Sequence, residues 1–312
     1  MGDARGTEFV EVADRCYVAR YAEWNVSIGV IRGAGGVAVV DTRATAGQGR
    51  QLLDDVRQLT DADVRWAINT HVHFDHTFGN VAMAGATIHA HENVGANLAS
   101  AAERIREIIR ADPTPDPEYP AITVQVLDDV MSTELRVPDV EFASVSTIDL
   151  GDRIVELMHP GRGHTDSDIV VRVPDADVVF GGDLIEEAGP PSFGEDSFPM
   201  EWAQTLDLVI GLLTDRTVVV PGHGATVDKA FVQDQRGDVA DVSSLIRSLH
   251  SQSIPVHNAA EAGAGSWPYP VGHLMTAIRL GYAVLDRAAL PRTGPSPAQP
   301  PSGTPTLPLA NP

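Results

Sequence analysis

Along most of its length the chain alternates short β-branched runs with stretches whose apolar positions repeat at helical spacing. Residues 26–32 and 37–40 have strand character. They are joined through Gly33, Ala34, Gly35 and Gly36, whose glycines tolerate positive φ, so the pair predicts a hairpin. In 48–59, Leu52, Leu53, Val56 and Leu59 fall on one helical face. Strands are predicted again at 64–69 and 86–90, and 92–110 reads as an amphipathic helix with Leu98, Ala101, Ile105 and Ile108 on one side. Residues 111–120 contain four prolines and predict an ordered loop able to border a pocket.

Strand patterns resume at 142–148, 153–158, 168–173 and 178–180, each bounded by Gly, Pro or Asp. A helix at 202–213, a short buried strand at 218–220 and helices at 228–250 and 271–289 follow. The last 22 residues hold eight prolines and no periodicity, so 291–312 is expected to be a disordered tail. No internal repeat is visible, but the two β-rich halves, 1–110 and 140–225, can pack as a sandwich.

Composition narrows the function classes. The 312 residues are ample for one large domain or two small ones. With 22 basic and 43 acidic residues the net charge is −21, which disfavours nucleic acid and acidic membrane surfaces as partners. Lys229 is the only lysine, so there is no polybasic patch. A single cysteine, Cys16, rules out an intrachain disulfide and a Cys-based zinc knuckle, and is most simply a small buried apolar residue. No apolar run approaches the roughly 20 residues of a membrane span. The amino-terminal residues are polar and acidic where a secretory signal is basic and then apolar, so a cytoplasmic protein is expected.

The informative chemistry is in the histidines. His71, His73, Asp75 and His76 lie within six positions, just after a predicted strand. On a strand end, residues i and i+2 point the same way, so His71 and His73 can share one metal while the following turn sends Asp75 and His76 elsewhere. That split suits two metals about 3.5–4 Å apart, as in two-metal hydrolytic sites. Three further segments each set one ligand type at a strand end: Gly163-His164-Thr165, Gly181-Gly182-Asp183 and Pro221-Gly222-His223-Gly224.

Together these four segments resemble the metallo-β-lactamase fold superfamily, in its dinuclear hydrolase branch, over about residues 15–225. The resemblance implies an α/β four-layer αβ/βα sandwich. It implies a first metal on His71, His73 and His164, a second on Asp75, His76 and His223, and Asp183 bridging them. Two divalent ions are expected, zinc first, with iron and manganese also suited to these ligands. A bridging hydroxide would be the nucleophile, and Asp75 the catalytic carboxylate that orients it or takes its proton. Asp41, which ends an early strand, matches an aspartate that in this superfamily points toward the site; a strand-end turn is its plainer reading. Thr165 either braces its ligand loop or is simply a good turn residue. His89 and His91 alternate like a ligand pair but match no ligand position, and His159, His250, His257 and His273 are read as structural or surface.

The cysteine-bearing metallo-β-lactamases carry Cys at the position of Asp183 and, three residues later, a Lys that pairs with the drug carboxylate; this chain has Asp183 and Glu186. The expected reaction is therefore hydrolysis of an ester, thioester, lactone or amide in a small-molecule substrate, at a metal site like that of glyoxalase II. A β-lactamase or phosphodiesterase is less favoured. The competing class is an iron persulfide dioxygenase using His71, His164 and Asp183. Substrate contacts are expected from the Trp24-Asn25 turn, the loop 113–119 and the segment 186–198; Arg162 either meets a substrate carboxylate or pairs with a surface Asp. The catalytic domain is expected at 1–225 and a helical extension packed on it at 226–290. The sequence leaves the oligomeric state undefined.

Overall fold

The structure, a computed structural model, describes residues 8–115, 117 and 119–289. Its strands are β1 (Val10–Ala13), β2 (Cys16–Arg20), β3 (Ser27–Gly33), β4 (Gly36–Val40), β5 (Val64–Ile68), β6 (Thr87–His91), β7 (Val140–Phe142), β8 (Val145–Asp149), β9 (Ile154–Met158), β10 (Val170–Val173), β11 (Val178–Glu186) and β12 (Val218–His223). The helices are α1 (Ala46–Leu59), α2 (Phe74–Thr77), α3 (Glu92–Ala111), α4 (Val124–Ser132), α5 (Trp202–Leu212), α6 (Lys229–Ser251), α7 (Val256–Ala262) and α8 (Met275–Ala289).

Strands β1 to β7 form one sheet in chain order, antiparallel through β4 and parallel from β4 to β7. The second sheet runs β12-β11-β10-β9-β8, antiparallel except for the β11–β12 pair. Ile31, Ala38 and Ile68 of the first sheet pack with Val155, Leu157 and Phe180 of the second, so the two inner faces close one core. On the outer face of the first sheet, Leu52 and Val56 of α1 are buried beside Val37 and Ile88; each such side chain contributes about 1.5–3 kcal/mol. On the outer face of the second, Val179 and Leu184 meet Leu206 of α5, Val239 and Ile246 of α6 and Ile278 of α8. The result is the four-layer αβ/βα sandwich. Helix starts are specified locally: the side chains of Thr45 and Asp228 cap α1 and α6 by accepting from Gln48 N and Phe231 N.

Some elements differ from the sequence expectation. The run 142–148 is not one strand: β7 closes the first sheet and β8 opens the second, with Ala143 and Ser144 between them. The strand expected at 178–180 continues to Glu186, and that at 218–220 continues to His223, because both lie in the buried parallel pair. The β1–β2 hairpin, α4 and α7 were not expected. The tail at 291–312 lies outside the described residues. Among the described residues no helix is long and apolar enough to cross a membrane.

Candidate metal centre

Seven side chains converge where the two sheets meet. His71 and His73 follow β5; His73 stands at the start of the single-turn helix α2, which turns Asp75 and His76 inward. His164 comes from the loop between β9 and β10, Asp183 from within β11 and His223 from the end of β12. The ligand atoms of His71, His73, His164 and Asp183 lie within 4.8 Å of one another, as do those of Asp75, His76 and His223. Asp183 joins the two sets. Its Oδ2 is 3.6 Å from His71 Nε2, 3.4 Å from His164 Nε2 and 3.3 Å from His223 Nε2, and its Oδ1 is 3.3 Å from His76 Nε2. Glycine is required beside it: a Cβ on Gly222 would stand 1.8 Å from Asp183 Oδ1.

Every imidazole is oriented from behind. His76 Nδ1 donates to Asp41 Oδ2 at 2.8 Å. Thr70 Oγ1 also donates to Asp41 Oδ2, at 2.8 Å, and so accepts from His71 Nδ1 at 3.0 Å. His164 Nδ1 donates to the Ser192 carbonyl at 3.0 Å and His223 Nδ1 to the Trp24 carbonyl at 2.6 Å. His73 Nε2 donates to Asp196 Oδ2 at 3.2 Å, and Asp196 also accepts from Arg104. With the outer nitrogens holding the protons, the inner nitrogens present lone pairs to one another: His73 Nδ1 is 2.8 Å from His164 Nε2, and His76 Nε2 is 3.3 Å from His223 Nε2. His71 Nε2 and Asp183 Oδ1 are buried without a hydrogen-bond partner. Converging lone pairs, orphaned inner atoms and fixed outer protons are what a cation site requires, and a donor set of five imidazoles and two carboxylates fits divalent transition metals.

Two of the supports are backbone conformations that non-glycine residues seldom adopt. Asp41 has φ 66° and Trp24 φ 55°, and such residues cost on the order of 1–3 kcal/mol unless their surroundings over-determine them. At Asp41 the over-determination is visible: its Oδ1 accepts from Thr70 N at 2.8 Å and its own N–H donates to Ile68 O. Near Trp24, buried Arg43 stacks on Tyr21 at 3.6 Å and pairs with Glu23 at 2.9 Å, fixing the turn. The electrostatics are uneven. Burial drives His71 well below its usual range and His164 down to about 4. At His223 burial is outweighed by Asp183, Glu186 and Asp75, which push it up to about 10.

A family model described as the metallo-beta-lactamase superfamily matches residues 21–223. The chain belongs to that superfamily. Relatives bear it out: the metallo-beta-lactamase type 2 of Bacillus cereus is 32% identical over 94 residues, 30% of this chain and 37% of that protein. The metallo-beta-lactamase type 2 of Bacillus sp. (strain 170) is 25% identical over 205 residues, 65% of this chain and 68% of that one. Among solved structures, the metallo-beta-lactamase FIM-1 of Pseudomonas aeruginosa in its mono-zinc form superposes with TM-score 0.58 at 18% identity, covering 76% of this chain and 96% of that one. The sec-alkylsulfatase Pisa1 of Pseudomonas sp. gives TM-score 0.71 at 18% identity, covering 89% of this chain but 50% of that one. Both structural likenesses speak to the fold.

In this metallo-beta-lactamase superfamily chain a cavity of about 550 Å³ opens over the ligands. It is lined by Trp24, Phe74, Tyr119, Glu186, Ala188, Pro190 and Ser192, among others, so all three expected substrate segments contribute to its wall. His273, read from sequence as structural or surface, is exposed and lines the same cavity. Arg162 is not among the lining residues: it makes a two-pronged pair with Glu201, at 2.6 and 3.0 Å, and lies over Phe198. Thr165 donates from N and Oγ1 to Asp168, whose carboxylate also accepts from Gly163 N, so the His164 loop is wrapped on one buried acid. His89 and His91 lie on β6 outside the cluster, and His91 caps α3.

Sequence reasoning did not single out Asp196, Asp168 or Thr70, and it met Glu186 as a departure from the superfamily and as the start of an expected substrate segment. Asp196 is 123 positions from the histidine it holds, and no local pattern marks it. Thr70 precedes His71 directly, and a hydroxyl beside a ligand is the one signal that was available.

Proposed function

We propose that this chain is a two-metal hydrolase that cleaves an ester, thioester, lactone or amide bond in a small-molecule substrate, with zinc as the preferred ion. The observation that carries this reading is the shared carboxylate: Asp183 lies 3.3–3.6 Å from four imidazole nitrogens drawn from both ligand sets. On this reading His71, His73 and His164 would hold one ion and Asp75, His76 and His223 the other, with Asp183 available to both sets. Two divalent ions lower the pKa of bound water toward neutrality and polarise a carbonyl oxygen.

The chain's own groups supply the remainder. Asp75, whose Oδ2 is 3.4 Å from His223 Nε2 and 3.5 Å from His76 Nε2, borders the cavity and can accept a hydrogen bond from the attacking water. It then carries that proton on its carboxylate toward the leaving group. Trp24 and Phe74, edge to face at 5.1 Å, exclude water from one wall and pack the organic part of the substrate. Asp41 and Asp196 hold the imidazoles in the tautomer that aims lone pairs inward. The net charge of −21 supports a small-molecule substrate over nucleic acid. The same reading treats 1–225 as the catalytic unit and 226–290 as a docked helical extension, supported by the packing of Val179 and Leu184 with Val239 and Ile246.

The test is metal analysis of protein purified without added metal, together with turnover of a thioester, a lactone, a chromogenic β-lactam and a phosphodiester. Two equivalents of zinc per chain with hydrolysis of the thioester or lactone is the expected result. The second reading, a mononuclear iron dioxygenase, has its own observation, the adjacency of His71, His164 and Asp183. One equivalent of iron, with oxygen consumed in the presence of a persulfide, would replace the hydrolase by that class.

A further inference from the structure

The ligand cluster leaves open what kind of molecule enters, and the charge of the cavity speaks to that. Among the described residues its lining includes the carboxylates of Asp75, Asp183 and Glu186 and no arginine or lysine. Arginines on surrounding segments are engaged elsewhere: Arg43 with Glu23, Arg104 with Asp196, Arg162 with Glu201 and Arg279 with Glu195. Glu186 adjoins the cluster: its carboxylate oxygen lies within 4.8 Å of the ligand atoms of Asp183 and His223. It ends β11 opposite His223 in the parallel register, is only 8% exposed, lines the cavity, and its carboxylate makes no hydrogen bond with the described residues. The same cavity contains the Trp24–Phe74 edge-to-face pair, and ring faces attract cations.

A charge balance points the same way. The cavity wall carries three carboxylates against no arginine or lysine among the described residues, so its own side chains offer an anionic substrate group little attraction. The protein's overall negative field concentrates cations at its surface.

We propose that the cavity takes a substrate bearing an ammonium group, received by Glu186 and the Trp24–Phe74 pair while the scissile bond lies over the ligand cluster. This rests on the metal-hydrolase reading and adds to it the class of substrate. The test separates the two by reading metal binding and ligand selectivity without turnover. Full-length protein is loaded with cobalt(II), cobalt content is measured, and three thiols are titrated into the thiolate–cobalt absorption band: thiocholine (cationic), 2-mercaptoethanol (neutral) and 3-mercaptopropionate (anionic). With affinities expressed per thiolate, thiocholine is expected to bind at least about 10-fold more tightly than 3-mercaptopropionate, with 2-mercaptoethanol between them. Glu186→Gln, with cobalt content unchanged, is expected to bring the outer two within about threefold, Glu186→Lys to reverse the order, and Trp24→Leu to weaken thiocholine alone by about threefold.

A smaller or reversed preference in the native protein overturns the inference, as does a preference that Glu186→Gln leaves intact. A cobalt equivalent lost in Glu186→Gln would make Glu186 a metal ligand and overturn it too. A protein that takes up no cobalt overturns the hydrolase reading itself, an outcome the metal content distinguishes from the others.

Discussion

The two sides of the metal centre are held by different kinds of structure. On one side, Asp41 reaches His76 directly and His71 through Thr70, all within the body of the sandwich; His76 is 0% and Asp41 2% exposed. On the other, His73 leans on Asp196 and His164 on the Ser192 carbonyl, both in the segment following β11; there His73 is 24% and Asp196 27% exposed. That segment also lines the cavity through Ala188, Gly189, Pro190 and Ser192. The buried side sets geometry independently of what occupies the cavity, whereas on the open side the substrate wall and the support of two ligands are one stretch of chain. Ser192 thus lines the cavity and holds His164 at the same time.

The largest effect tests the element common to both sides. Asp183→Ala is expected to reduce bound metal below one equivalent per chain and turnover by about 10³-fold or more; full activity with two ions bound would remove the shared assignment. Next is the buried side. Asp41→Asn keeps the size of the side chain but weakens its hold on His76 and Thr70, and is expected to cost about 10–100-fold in metal affinity and about 1–3 kcal/mol in stability, read by competition with a chromogenic chelator and by denaturant unfolding. On the open side, Asp196→Asn is expected to cost only about 10-fold in metal affinity, with stability nearly unchanged because exposed pairs contribute about 0–1 kcal/mol. If Asp196→Asn costs as much stability as Asp41→Asn, the contrast between the sides fails. The smallest effect is His89→Ala, outside both supports, which is expected to leave metal content unchanged.

The same contrast explains what could be read from sequence. All seven converging side chains sit in segments with local marks: the spacing of His71, His73, Asp75 and His76, and the glycines beside His164, Asp183 and His223. Asp183 follows two glycines, of which Gly182 has φ +52° and would meet Thr70 at 2.7 Å if it had a Cβ. The sandwich was legible because each sheet buries its inner face, leaving runs of Val and Ile. The β1–β2 hairpin was missed because its turn is Asp14-Arg15, with Arg15 at φ 55° in place of a glycine. The switch between sheets at Ala143 and Ser144 carries no Gly or Pro. Asp196 was illegible for a different reason: its role exists only when the segment after β11 folds back across α3 to meet Arg104 and His73.

On the proposed reading the seven converging side chains also have a mechanical meaning. Four follow β5 of the first sheet and three belong to the second, so an ion held by residues from both is a cross-link between the layers. Separating the sheets would require releasing it, which makes metal loss and unfolding one linked equilibrium; free metal at a thousand times its dissociation constant would add about 4 kcal/mol to the work of opening. Cys16 is a ready-made reporter, since it is buried in the layer between the sheets and burial pushes its thiol up to about 12. Its alkylation at pH 8 should track opening events, slow further when zinc is added and accelerate when a chelator strips the metal, so that one thiol would time how often the sandwich comes unfastened.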